Sequence, residues 1–128
     1  MSKVPADLKY TKDHEWYKME GDKAVMGITD HAQHAMGDIV YVELPEIGTE
    51  VEAHQDFVVV ESVKGANDVF SPVAGKVCAV NEALDDSPEL LNADPYANWI
   101  AKLEDVKVPN DLLDAAAYEK LVAEAEAE

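Results

Sequence analysis

Basic residues are scarce in this chain: ten Lys and Arg stand against 27 Asp and Glu, leaving a formal net charge of −17 and a pI near 4.3. Such a balance repels phosphate backbones and anionic lipid. It therefore excludes nucleic acid and membrane surfaces as natural partners and favours proteins with basic docking faces. A single cysteine, Cys78, excludes an internal disulfide and suits a reducing compartment. In the strand-like run Lys76 to Val80 it reads as a small core residue. Apolar runs of membrane-spanning length are absent, and residues 1 to 8 show neither a signal-type apolar stretch nor an Arg-rich amphipathic pattern. The expected location is the cytoplasm.

Catalytic signatures are missing too. Six glycines are scattered singly, so no phosphate-binding loop is present. No serine sits in a GxSxG elbow, and Cys78 has no evident histidine partner. His14, Glu15, His31 and His34 are the residues that invite a metal or acid/base reading, with His31 and His34 three apart on a short helix. No third ligand has metal-site spacing and no HExxH pattern occurs, so surface histidines on a polar helix are the simpler reading and no metal is expected. The chain is read as a non-catalytic protein.

What is present is a pattern of short strands in 128 residues, 48% of them hydrophobic, enough for one domain spanning 1–128 with a single core. Glu15 to Met19 and Lys23 to Ile28 read as strands joined by a hairpin turn at Glu20-Gly21-Asp22. Thr29 caps a two-turn helix near residues 29–36 that Gly37 ends. Ile39 to Leu44 returns to β, and Phe57 to Val60 is apolar enough for a strand buried on both faces. Lys64-Gly65-Ala66-Asn67-Asp68 reads as a polar turn, followed by strand residues Val69 and Phe70 and then Val77 to Val80. Residues 82–98 read as an irregular surface excursion with at most one helical turn around Glu89 to Leu91. Trp99 to Leu103 gives the last strand. A C-terminal helix is expected over about 110–126, started by Pro109 and Asn110 and presenting Leu113, Ala117 and Leu121 on one face, with its end frayed by Glu124, Glu126 and Glu128. The fold class is mostly β, an antiparallel sandwich or flattened barrel with a short early helix and a C-terminal one.

Lys64 stands out from this pattern. From charge and turn propensity alone a solvated turn lysine is the bland reading. Yet the chain is poor in basic residues and places this one directly after a buried strand, at a turn, with Glu61 three residues before it. A modifying enzyme can reach such a tip while the sandwich holds its backbone still.

The motif Glu61-Ser62-Val63-Lys64 resembles the one that bears lipoic acid in the H protein family of the glycine cleavage system. Further segments match that family in order: Lys9-Tyr10 to His14-Glu15-Trp16, Gly27-Ile28-Thr29-Asp30-His31-Ala32-Gln33, Gly37 to Pro45, Ser71-Pro72-Val73-Ala74-Gly75 and Pro95-Tyr96. The resemblance implies a lipoyl-domain-like fold, with Gly48 and Gly75 in equivalent turns on either side of the lysine. It implies lipoic acid attached as N6-lipoyllysine at Lys64. Partners would be glycine decarboxylase, aminomethyltransferase, dihydrolipoyl dehydrogenase and a lipoyl ligase or transferase, with the chain itself a monomer. Glu61, a charge at a fixed offset from that lysine, is read either as a recognition point for the lipoylating enzyme or as a polar strand end beside the turn. Glu15 and Asp68 fall at family positions that dock the loaded arm by holding its cationic amine, and Trp16 becomes either a wall of that cleft or a core aromatic. Two departures are visible: Gly65 stands where alanine is usual, and Tyr96-Ala97-Asn98-Trp99 is one residue shorter than the usual loop.

The family reading makes the chain a shuttle for an aminomethyl group between glycine decarboxylase and aminomethyltransferase. Two other readings use the same residues. One is an H-like relay that passes lipoyl groups to 2-oxoacid dehydrogenases; the other is an unmodified interaction domain in which Lys64 is a bystander. A biotin carrier usually flanks its lysine with methionines, whereas Val63 and Gly65 are the neighbours here.

Overall fold

The computed structural model describes residues 3–126. Nine strands, β1 (Lys9–Tyr10), β2 (Glu15–Glu20), β3 (Lys23–Ile28), β4 (Ile39–Glu43), β5 (Glu50–Val51), β6 (Asp56–Ser62), β7 (Gly65–Phe70), β8 (Ala74–Val80) and β9 (Ala101–Lys107), form two sheets among these residues. One sheet has the order β1-β2-β3-β9-β8-β5 and the other β4-β6-β7. Every strand pairing is antiparallel, so the sandwich is built as expected, as two open sheets and not as a closed barrel.

Four helices accompany them: α1 (Asp30–Met36), α2 (Ala83–Asp86), α3 (Leu90–Ala93) and α4 (Ala115–Glu126). The sequence signals for α1 hold in detail. Thr29 is extended and its hydroxyl accepts from the Ala32 amide, while Gly37 ends the helix at φ 80°. The first hairpin closes with Glu20 opposite Lys23, leaving Gly21-Asp22 as its loop.

Alternation along the strands decides what is buried. In β3, Ala24, Met26 and Ile28 point into the space between the sheets, whereas Val25 points to the other face, where Tyr10, Trp16, Tyr118 and Val122 pack. β3 is thus the strand covered on both faces. That role was expected for Phe57 to Val60, but in β6 only Val58 and Val60 are buried and Phe57 and Val59 are half-buried.

Three expectations are corrected. Residues 82–98 hold two short helices, α2 and α3, and Leu84 and Leu91 are fully buried in the inter-sheet core. The excursion is therefore a plug that seals the core and not a surface loop. The last strand starts at Ala101, two residues after the half-buried Trp99, and runs to Lys107. α4 starts at Ala115, since Leu113 is still held extended by paired backbone bonds with Tyr10, each 2.8 Å, and Asp114 caps the helix by accepting from the Ala117 amide at 2.8 Å. Its buried face is Ala115, Tyr118 and Val122, with Ala117 exposed and Leu121 half-buried. The helix continues through Glu126; Glu128 lies outside the described residues. The two glycines expected in equivalent turns differ in cause: Gly48 takes φ 97°, whereas a Cβ on Gly75 would sit 2.8 Å from the Glu104 carbonyl oxygen. One serves a turn and the other a close backbone approach.

Candidate functional site

The β6–β7 hairpin pairs Ser62 with Gly65, so the loop is the two residues Val63 and Lys64. The expected five-residue polar turn is therefore too long: Gly65 to Asp68 already belong to β7, because Asn67 and Asp68 pair with Val60 and Val59. Gly65 takes φ 141°, a conformation that a side chain strains, which gives a local reason for glycine after the lysine. The tip is tied down on both sides. The Val63 amide donates to the Asp38 carbonyl at 3.0 Å, and the Lys64 amide donates to Ser62 Oγ at 3.2 Å. Lys64 itself is exposed. Its Nζ reaches over to donate to the Ala35 carbonyl in α1 at 3.3 Å. Glu61 is exposed at the end of β6, between Tyr41 of β4 and Ala66 of β7.

Beside this tip runs an open groove of about 450 Å³. Asp13 and His14 line it from the β1–β2 connection, Ala32, Ala35 and Met36 from α1, and Asn67, Asp68 and Phe70 from β7. Asp68 is exposed on its wall. Glu15 does not line the groove: it is 2% exposed and lies behind Phe70. The Thr11 hydroxyl donates to one of its carboxylate oxygens at 2.5 Å and the Phe70 amide donates to the other at 3.3 Å. Burial pushes its pKa up to about 7, against the opposing pull of those two hydrogen bonds. The two carboxylates thus meet the groove differently, Asp68 at its surface and Glu15 through the backbone of Phe70.

His14 has positive φ, 70°, and its Nδ1 lies 2.8 Å from the Tyr118 hydroxyl. Burial lowers its pKa, with further help from His31, and Asp13 pulls it back up. His31 and His34 do not converge: the His31 ring packs on His14 with centroids 4.5 Å apart, whereas His34 is exposed and lines a different hollow with Gly37 and Asn92. Among the described residues no group of three or more His, Cys, Asp or Glu is placed to hold a metal ion. Trp16 is a core aromatic and not a cleft wall; it is buried and its Nε1 donates to the Pro95 carbonyl at 3.2 Å. Sequence reasoning missed Asp13, Phe70 and Tyr118 as groove or support residues. For Tyr118 the available signal was the spacing of Ala115, Tyr118 and Val122.

A larger hollow of about 590 Å³ lies across β5, β8 and β9 in the other sheet, among Glu50, Lys76, Asp105 and Lys107. It shares no residue with the hairpin. Cys78 is a free, half-buried thiol in β8, as a small packing residue would be. No described helix is long and apolar enough to cross a membrane.

A family model described as Glycine cleavage H-protein matches residues 8–125. Two relatives, each called glycine cleavage system H protein, come from Halorhodospira halophila (53% identical over 128 residues, 97% of this chain and 98% of the relative) and Escherichia coli O139:H28 (53% over 126 residues, 95% and 98%). The fold is similar to the crystal structure of a glycine cleavage system H protein from Mycobacterium marinum, with TM-score 0.87 and 35% identity over 94% of this chain and 99% of that one.

Proposed function

The chain belongs to the glycine cleavage H-protein family, and from that membership we propose that Lys64 is the residue through which it works as a lipoyl carrier. The family's role is to shuttle an aminomethyl group within the glycine cleavage system. The observation that carries the assignment is the placement of one exposed amine on a two-residue turn, beside a groove whose wall holds a carboxylate.

The residues present fit such a group. Lys64 offers a primary amine for amide linkage, and the backbone bonds of Val63 and Lys64 fix where it stands. When bound, the lipoyl group supplies a dithiol that takes up and gives back the aminomethyl group. Asp68 offers its charge to the amine of that cargo, which is cationic at neutral pH. Glu15 acts from behind, holding the Phe70 amide and with it the groove wall on which Asp68 stands. Ala32, Ala35 and Met36 make the facing side apolar and limit water. Glu61, three residues before the lysine and exposed, is a fixed charge that a lipoylating enzyme can read.

Family membership supports reading the chain as a non-catalytic carrier component whose partners are glycine decarboxylase, aminomethyltransferase, dihydrolipoyl dehydrogenase and a lipoyl ligase or transferase. A net charge of −17 suits basic docking faces on them. The unpaired thiol of Cys78 fits the cytoplasm, and the whole chain acts as one monomeric domain. The test is glycine–bicarbonate exchange in a reconstituted mixture with glycine decarboxylase. Exchange with the lipoylated wild type and none with Lys64→Arg is the expected result. A lipoylated wild type that supports no exchange, yet passes its lipoyl group to a 2-oxoacid dehydrogenase, would make it a relay instead.

A further inference from the structure

One side chain of α4 supports the groove from behind. Tyr118 is fully buried, its ring stacked on Tyr10 with centroids 4.5 Å apart and planes 8° from parallel. Its hydroxyl lies 2.7 Å from Thr29 Oγ1 and 2.8 Å from His14 Nδ1. Both neighbours belong to groove walls. Thr29 caps α1 by accepting from the Ala32 amide at 3.2 Å, and His14 lines the groove itself.

The main chains of those walls are already joined, since the Thr29 amide donates to the His14 carbonyl at 3.0 Å. What the backbone leaves free is the His14 ring. Tyr118 is the hydrogen-bonding partner the structure gives that ring, and His31 packs against its face. A tyrosine hydroxyl has one proton to give and lone pairs to accept with, so whichever way this chain of bonds runs, the His14 ring is held through Nδ1. Its orientation is therefore set from α4.

Resting on the docking reading above, we propose that Tyr118 is a positioning residue for the carried aminomethyl group: its hydroxyl orients the His14 ring as part of the groove that Asp68 also lines. The physical consequence is electrostatic. An uncharged imidazole beside a cationic amine leaves the attraction of Asp68 unopposed, whereas an imidazolium repels the cargo. The titratable groups around His14 are Asp13 next to it, Glu15 beyond, His31 from α1, Tyr118 and, through His31, Glu126 from α4, and Asp68 on β7. Burial and His31 favour the neutral ring; Asp13 opposes them. Protection of the cargo is thus present above the pKa of His14 and lost as pH falls through it. Freed from Tyr118, the ring turns toward water and its pKa rises toward the ordinary value near 6.5.

The experiment uses the lipoylated full chain, reduced and loaded with the aminomethyl group, as wild type, Tyr118→Phe, His14→Gln and the double variant. Spontaneous loss of the group is followed across pH, and the His14 ring is titrated by NMR. In Tyr118→Phe, which keeps the stack on Tyr10, loss near neutral pH should quicken about fivefold, the scale one net hydrogen bond controls. The His14 titration should move upward, and the double variant should lose cargo no faster than His14→Gln. An unmoved titration, or an unchanged loss rate, overturns the proposal. Wild type losing its cargo as fast as free aminomethyl-lipoamide overturns the docking reading and this inference with it; protection in both wild type and Tyr118→Phe overturns this inference alone. Should Tyr118→Phe not fold, His14→Gln decides: uncharged at every pH, it should keep its cargo as the pH falls, and a loss that still quickens in acid as the wild type's does counts against the proposal.

Discussion

The amine of Lys64 donates to the carbonyl oxygen of Ala35 at 3.3 Å, across 29 residues of chain. Ala35 lies in the last turn of α1, where carbonyls lack partners within the helix and the helix dipole is negative. The unmodified lysine is thus parked on the rim of the groove. Amide formation at this nitrogen would remove its charge and with it the ionic part of the attraction to that helix end.

Lipoylation should map to Lys64 alone. After co-expression with a lipoyl ligase, peptide mapping is expected to find the adduct on this residue, and Lys64→Arg should carry none. The substituted protein should melt within about 2 °C of wild type, because an exposed turn residue contributes little to stability. An adduct on any of the other lysines, or one that survives the substitution, would remove the basis of the assignment.

Glu61→Gln should slow lipoylation while the melting temperature stays within the same margin. The side chain is exposed, so its charge matters to a visiting enzyme more than to the fold. Initial rates of lipoyl transfer to the two proteins, measured side by side, check this. Equal rates would leave Glu61 as a polar strand end.

The elements legible in the sequence were those whose signals are local. Thr29 and Gly37 mark both ends of α1, and Glu20 to Lys23 closes a hairpin by turn chemistry alone. The tip at Lys64 was legible in place but not in length, since Gly65 to Asp68 look like turn residues and become strand only through pairing with β6. The same limit hid α2 and the burial of both short helices, whose leucines are covered by strands far away in sequence; of the two, only the turn at Glu89 to Leu91, where α3 begins, was legible. At the site, Asp68 was singled out by the family resemblance, and its place on the same hairpin as Lys64 was legible from its nearness in sequence. The burial of Glu15 was not, because it depends on Thr11 and on the amide of Phe70, 55 residues on.

Leu84→Ala and Leu91→Ala should each destabilise the protein by roughly 2–4 kcal/mol, the cost of emptying a fully enclosed leucine site. Both side chains are at 0% exposure although they sit on four-residue helices, so the penalty reports a core function and not a helix propensity. Urea unfolding at unchanged slope is the measurement. A loss below about 1 kcal/mol would return this segment to the surface loop its composition suggests.

Glu15 should make the fold more stable in mild acid than in mild base, the reverse of a carboxylate held in an ion pair. In the folded chain burial lifts its pKa from 4.5 to about 7, so folding takes up a proton between those values. The sign follows from linkage: the stabilisation is fully present below about pH 4.5 and is lost as pH rises through about 7. At 1.36 kcal/mol per tenfold change, the swing from this one group is about 3 kcal/mol. A carboxyl group that keeps its proton can share Thr11 and the Phe70 amide without cost, whereas the ionised form is buried with two hydrogen bonds and, among the described residues, no cation in ion-pair contact. Glu15→Gln keeps an acceptor for the Phe70 amide, faces Thr11 with an NH2 group from which the hydroxyl must turn to accept, and has nothing to ionise. Its stability relative to wild type should therefore climb by about 3 kcal/mol between about pH 4 and pH 8. Urea melts of the two proteins across that range provide the measurement. Curves that stay parallel would mean that Glu15 releases its proton near 4.5 in the folded chain as well, and that the wall behind the groove is wet.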